Sequence, residues 1–574
     1  MRPRHRRRRA DARLSAAATR MTQAGPEVAE QASCGRPERE TRKRLRRVGW
    51  ALFGGLAAFY CLVGQGTVTS HDGSSVLEVT RSLVGHGGFE VPPDLGKLGR
   101  GGRYYSKYGI GQSLAAVPLY LVGVAVGQIA ATRGMPPSLV EEAAASFLNA
   151  FVTAATAVVV FLFAYRLGAR TRLAVGCALI YGLGTLAFPY AQSFYSEPLS
   201  GLLLLLSALC LLRLEPGSER GNPITAGLLA GMFLGLALLT RFTAGASAAV
   251  LVLAVLLRHG WRSGALRRSI GATLACIVPV LCACVVIALY DELRFGAAGK
   301  TGYSGGEVGL SPRYLLNGLY VLLLSPGSSF LLYSPILVLG AIGFPHLIAQ
   351  RPFAGWMLLG VAAAHVLLFA MRNYPDNPST YGPRYLVPAI PFCVLPLAVE
   401  LPCWTGRVRT LAAGALIGTS CLVQWPAVIV HPSRNTFQLI AADPEHYYWR
   451  MIRRPADSHF FTLWEDVGEV VHNAVYDSGQ LRAMARRQMA EPTPARNLDA
   501  RSVLGVRVNL NAPNVWWLTS YYAGVPAALI GGGVVLLIAV AIVSFALLAR
   551  ELRTDAVPVP APSDAGRDAA AHHA

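Results

Sequence analysis

Six charged residues stand where an otherwise apolar chain has little reason to keep them: Asp72, Lys107, Glu197, Arg241, Lys300 and Arg384. Most lie at the end of a long apolar run. Asp72 sits in His71-Asp72-Gly73, just past the first such run. A carboxylate near membrane depth is costly unless it is paired or used. It either caps a helix, a task aspartate suits, or accepts a proton. Lys107, one of only four lysines, follows Arg103-Tyr104-Tyr105-Ser106 and precedes another apolar run. It either holds a phosphate as a point charge or snorkels within an aromatic belt. Tyr105 is grouped with it as a candidate for substrate binding. Glu197 opens a run in Ser196-Glu197-Pro198. It is either a helix-end carboxylate favoured by the helix dipole or a second acid facing the same space as Asp72. Arg241 splits a long apolar stretch. Lys300 lies with Tyr303 in a glycine-rich loop, within reach of a ligand. Arg384 enters a run in Tyr381-Gly382-Pro383-Arg384, where an arginine is either paired or grips an anion.

Other chemistries lack their motifs. No GxGxxG, P-loop or HExxH occurs, so nucleotide-driven transport and zinc-hydrolase chemistry have no support. Of the ten cysteines, Cys34 lies in a basic tail and nine lie in or beside apolar runs, which excludes a disulfide framework and a cysteine zinc site. His431, His446, His459 and His472 share no zinc spacing. No cofactor is expected, and a divalent cation, though compatible, is not indicated.

Composition explains what must position these residues. Of 574 residues 53% are apolar and 15% charged, against about 25% charged in an average soluble domain. A soluble enzyme and a disordered protein are both excluded. Thirteen apolar runs occur, at about 48–68, 112–131, 146–166, 173–191, 198–212, 224–240, 242–257, 270–290, 330–349, 353–371, 385–402, 410–430 and 525–549. Basic residues follow several: Arg170 and Arg172, Arg258 and Arg262, Arg351, Arg407 and Arg409, Arg550 and Arg553. Short basic loops belong in the cytoplasm. They all fall there if 112–131, which contains Pro118, lies in the outer interface with the turn at Gly134 outside. The expectation is an all-α polytopic membrane protein with about twelve crossings and both termini cytoplasmic. Residues 1–47 form a disordered basic tail, 48–430 a transmembrane core with a first outer loop at 69–145, 431–523 an extracytoplasmic loop or small domain, 524–549 the last span and 550–574 a cytoplasmic tail. The tail carries 15 Lys/Arg against 5 Asp/Glu. It suits an anionic membrane surface rather than nucleic acid. Ser75-Val-Leu-Glu78 predicts a capped surface helix ended by Gly85, Gly87 and Gly88. Nearly all the unusual polar residues fall on the outer side.

The stretches HDG, YYSKYGIGQS and YGPRYLVPAIPF resemble the GT-C membrane glycosyltransferases. In layout the chain is nearest to the protein O-mannosyltransferases and the lipid A aminoarabinose transferases. The resemblance implies an inner-membrane enzyme that moves a sugar from a polyprenyl-phosphate donor, with inversion, to an extracytoplasmic glycan, lipid or protein. It implies Asp72 as general base, Glu197 as the acid after the third span, and Lys107 as phosphate ligand; Arg384 is added to the last role here. Two positions depart from the family: Gly73 follows Asp72 where a second acid is common, and Ser106 replaces a carboxylate before Lys107. The alternative is a transporter or flippase of lipid-linked envelope precursors. That reading needs internal repeats and intramembrane charges, and the sequence shows no repeat.

Overall fold

The computed structural model describes residues 26–132, 136–216, 222–258, 263–303, 309–377, 379–490, 503–504 and 507–553. The first 25 residues of the expected tail, Gly134, Arg262 and residues 554–574 lie outside the described residues. The chain forms two compact units. In the smaller, which takes in the described residues up to Ala51 and from Ala546 on, Arg47 Nη1 lies 3.1 Å from Glu551 Oε1. The side-chain contacts described below lie within the larger, Leu52–Phe545.

The protein is an all-α polytopic membrane protein, and each apolar run carries helix, though residues 330–336 form turns before the helix of their run begins. The principal helices are α1 (Pro26–Val63), α2 (His71–His86), α3 (Gly111–Ala131), α4 (Pro137–Ser146), α5 (Leu148–Arg166), α6 (Thr171–Leu183), α7 (Glu197–Leu211), α8 (Pro223–Thr240), α9 (Ala244–Leu257), α10 (Ser263–Phe295), α11 (Leu315–Leu323), α12 (Leu337–Gln350), α13 (Pro352–Ala370), α14 (Arg407–Leu422), α15 (His459–Tyr476) and α16 (Ala527–Arg553). A broken helical segment, Arg384–Cys403, precedes α14. Among the described residues nine helices are long and apolar enough to cross a membrane, and α6, α9 and α12 are shorter apolar helices. The two-stranded hairpin β1 (Lys97–Leu98) and β2 (Tyr104–Tyr105) is antiparallel, with Lys97 opposite Tyr105.

Polar contacts sort the helix ends. At one end Arg351 Nε reaches both carboxylate oxygens of Glu215, at 2.9 and 3.0 Å, and Arg351 Nη1 reaches the carbonyl of Arg166 at 3.4 Å. The turns after α5, α7 and α12 therefore meet. At the other end the buried Asn149 donates to the carbonyls of Ser193 and Tyr195, both at 2.7 Å. It fixes the turn that leads into Glu197.

Helix α3 has the length and composition of a span, yet little of it is buried. Gly123 lies against Glu141 and Ala144, and Gly127 against Pro137. So α3 and α4 run antiparallel as a hairpin that leads directly into the Asn149 end of α5.

Helix α2 starts earlier than its sequence suggests. The Ser75–Glu78 pair predicts a start at Ser75; the helix begins at His71. Ser70 is extended (φ −88°, ψ 141°) and its Oγ accepts from the Gly73 amide at 3.0 Å. Glu78 pairs with Arg81 instead of closing a capping box. Gly87 ends the helix at φ 71°, a left-handed conformation glycine adopts without strain.

Candidate active site

Ser70, rather than Asp72, caps α2, so the Asp72 carboxylate is available for other partners. Its Oδ1 accepts from the Tyr108 hydroxyl, and its Oδ2 lies 2.9 Å from Arg384 Nη2. Burial alone would raise this carboxyl; the Arg384 guanidinium, the Tyr108 hydroxyl and the Lys107 charge together hold it below the ordinary aspartate value. Asp72 is therefore ionised at neutral pH.

Glu197 is 1% exposed and Arg384 3% exposed, and their side chains meet at 3.0 Å. Arg241 Nη1 lies 2.8 Å from the same Glu197 oxygen and donates to Ser196 Oγ at 3.0 Å. Two carboxylates and two guanidinium groups thus form one chain, Asp72–Arg384–Glu197–Arg241, with formal charges that sum to zero. Arg384 Nη1 is buried and without a hydrogen-bond partner among the described residues. A buried guanidinium donor left open is costly. The rings of Tyr195 and Tyr385 flank this guanidinium at 4.4 and 4.8 Å from their centroids. A small space opens on the cluster, lined by Asp72, Tyr108, Tyr195, Ser196, Glu197 and Arg241.

Lys107 borders this cluster. Its Nζ lies 5.0 Å from the ring centroid of Tyr303 and 5.6 Å from that of Tyr108, close enough for cation–π attraction. The loop that carries it is pinned on three sides. Ser106, at the position where a carboxylate is common in the resembling family, is buried and accepts from Ser75 Oγ at 2.8 Å. Ser113 Oγ donates to the Val76 carbonyl at 2.9 Å. Cβ atoms at Gly109 and Gly111 would each come within 2.3 Å of the end of α8, at the Leu239 carbonyl and Thr240 Oγ1, so only glycine permits that seat.

The third anchor is Arg294, which escaped the sequence reading. It is fully buried on α10 and pairs with Asp291 at 2.7 Å. Its Nη1 donates to the carbonyls of Ser106 and, at 3.2 Å, Tyr108. The stretch Tyr290-Asp291-Glu292-Leu293-Arg294 was visible as an acidic and basic pair three apart. Nothing in it signalled that the arginine reaches the Lys107 loop.

Two expected site residues lie apart from the cluster. Tyr105 is buried in the hairpin, its ring edge-on to Phe295 at 6.1 Å. Lys300 sits on an exposed turn after α10. Among the described residues no three His, Cys, Asp or Glu side chains gather as a metal site.

A second, larger cavity lies beside the first, and Phe194 and Tyr195 line both. Thr69, Ser70, Tyr190, Ser193, Tyr381 and His431 contribute to its wall.

Residues 114–296 match the family described as dolichyl-phosphate-mannose-protein mannosyltransferase. The matched stretch includes Glu197, Arg241 and Arg294; HDG, YYSKYGIGQS and YGPRYLVPAIPF lie outside it. No curated protein matches the chain. Among solved structures, the chain is similar to ArnT from Cupriavidus metallidurans bound to undecaprenyl phosphate, at 15% identity and a TM-score of 0.46, over 84% of this chain and 88% of that one. It is also similar to the archaeal oligosaccharyltransferase AglB from Archaeoglobus fulgidus in complex with an inhibitory peptide and a dolichol-phosphate. There the identity is 11% and the TM-score 0.39, over 86% of this chain and 72% of that one.

Proposed function

We propose that this protein is a membrane glycosyltransferase that moves a sugar from a polyprenyl-phosphate donor to an extracytoplasmic acceptor by a single inverting displacement. The observation that carries the reading is Arg384, which joins Asp72 to Glu197 while one of its buried donors stays open. The match of residues 114–296 to a dolichyl-phosphate-mannose-dependent family supports the donor class.

The charge balance fits that chemistry. Asp72 takes the proton of the acceptor hydroxyl as the acceptor oxygen bonds to the sugar's anomeric carbon. The bond from that carbon to the phosphate oxygen breaks, and its electron pair leaves with the polyprenyl phosphate. Asp72 loses one negative charge and the phosphate gains one. Arg384 lies next to Asp72, Arg241 lines the same space, and the Lys107 charge acts on Asp72. These fixed cations stabilise the developing phosphate charge without reorganising. A phosphate that draws the Arg384 guanidinium also withdraws the interaction that depresses Asp72. Burial then raises the carboxyl toward a stronger base. Glu197 holds Arg384 and Arg241 in place throughout.

The active end faces away from the cytoplasm in this reading, because the basic turns around Arg170 and Arg351 belong to the opposite end. Both termini are cytoplasmic, and the membrane is the inner membrane.

The test is binding of a short-chain polyprenyl phosphate to the purified protein in nanodiscs, which needs no knowledge of the sugar. Lys107→Ala and Arg384→Ala each remove a charge-assisted contact worth ~1.5–3 kcal/mol. Affinity should fall about ten-fold or more in each. Unchanged affinity in both variants would contradict the phosphate site.

A further inference from the structure

The larger cavity borders the catalytic space but contains none of its charges. Its wall is built from four stretches far apart in sequence: 65–70, 189–195, 379–381 and 427–432. Its polar side chains are hydroxyls, one glutamine amide and one imidazole; no lysine, arginine, aspartate or glutamate lines it. The imidazole is His431, which burial, with Arg507 nearby, holds near 4, and it is therefore neutral at pH 7. Thr69 Oγ1 bonds to its Nε2 at 2.7 Å. Aromatic rings of Tyr190, Phe194, Tyr195 and Tyr381 complete the wall, with Tyr190 and Tyr195 centred 6.0 Å apart.

Two features tie this cavity to the reaction. Phe194 and Tyr195 form a partition shared with the space at Asp72. Ser70, in the wall, is the cap of the helix that carries Asp72.

The geometry points to this cavity as the acceptor site, and to a neutral sugar residue as the group it takes. The assignment rests on the glycosyltransferase reading above. A sugar ring has apolar C–H faces and a rim of hydroxyls, which matches tyrosine rings alternating with hydroxyl side chains. An anionic acceptor would find no cation here and would meet desolvation unrelieved. An extended peptide is disfavoured as well. Such segments pair along a sheet edge, and this wall consists of helix ends and turns, the described hairpin at 97–105 taking no part.

The experiment uses the full chain in nanodiscs, with methyl β-glucoside as the probe and glucuronate as its charged counterpart. Ser193→Cys makes a small change in the wall. Its alkylation, read by mass spectrometry, should slow at least three-fold with methyl β-glucoside and be unaffected by glucuronate. Ser193→Trp fills the cavity. It should weaken glucoside binding, measured by saturation-transfer NMR, ten-fold or more, with polyprenyl phosphate binding unchanged. Asp72→Asn should still bind the glucoside. If that variant also transfers sugar normally, the catalytic reading fails while the cavity assignment stands. Equal protection by glucoside and glucuronate, no protection by either, or protection only by an uncharged Ser/Thr peptide would overturn the assignment. The cysteine variant decides the matter even if the tryptophan variant does not fold.

Discussion

At the scale of single residues, the site is a set of charges whose partners decide their roles. Asp72 was legible as an unusual carboxylate, but its two readings, cap or base, could not be separated in sequence. The structure separates them through Ser70, which takes the capping role. Tyr108 then becomes informative: it donates to Asp72, and that bond helps to keep the carboxyl ionised. Tyr108→Phe removes the donor and leaves burial and Arg384. The Asp72 carboxyl should rise, so the acid limb of the pH–rate profile should move to higher pH. The sign follows because a depressed carboxyl stays ionised until the pH falls through its folded value, and losing a stabilising partner raises that value. Transfer at neutral pH should fall about ten-fold, in the range of one lost hydrogen bond to a charged group. An unshifted acid limb would mean that Tyr108 does not act on Asp72.

At the scale of elements, the sequence marked the helices well and their mutual seats poorly. Hydropathy located every apolar run, because burial in lipid requires long apolar helices. Tertiary contacts were invisible to it. The Ser75–Glu78 pattern failed since Glu78 found Arg81. Arg294 stands in no motif, yet its guanidinium supports the backbone of the Lys107 loop from a distant helix. Arg294→Ala leaves Asp291 buried and unpaired together with two unsupported carbonyls. It should destabilise the protein by ~3–5 kcal/mol. Arg294→Lys keeps the charge but loses the planar fork. It should keep the fold, weaken polyprenyl phosphate binding several-fold and leave the pH profile in place. If Arg294→Lys matches the wild type in phosphate affinity, the loop does not depend on this anchor.

At the scale of the whole molecule, function depends on which side of the membrane the cluster occupies. Charge bias in the loops predicts that side, and the contact of Arg351 with Glu215 and Arg166 shows the turns after α5, α7 and α12 meeting at the end away from the cluster. Cysteine reporters at Gly302 and Ser478 should react with a membrane-impermeant reagent in intact cells, and one at Ser263 should react only after permeabilisation. Labelling of Ser263 in intact cells would reverse the orientation.

The central claim is that Asp72 is the base, and Asp72→Asn tests it most directly. Asparagine keeps the shape and can still accept from Tyr108, but it cannot take a proton or pair ionically with Arg384. Sugar transfer should fall ~10²–10⁴-fold, the range of a lost general base. Polyprenyl phosphate should bind as well as before or more tightly, because Arg384 is released toward it. An asparagine variant that transfers sugar at near the wild-type rate would contradict the account.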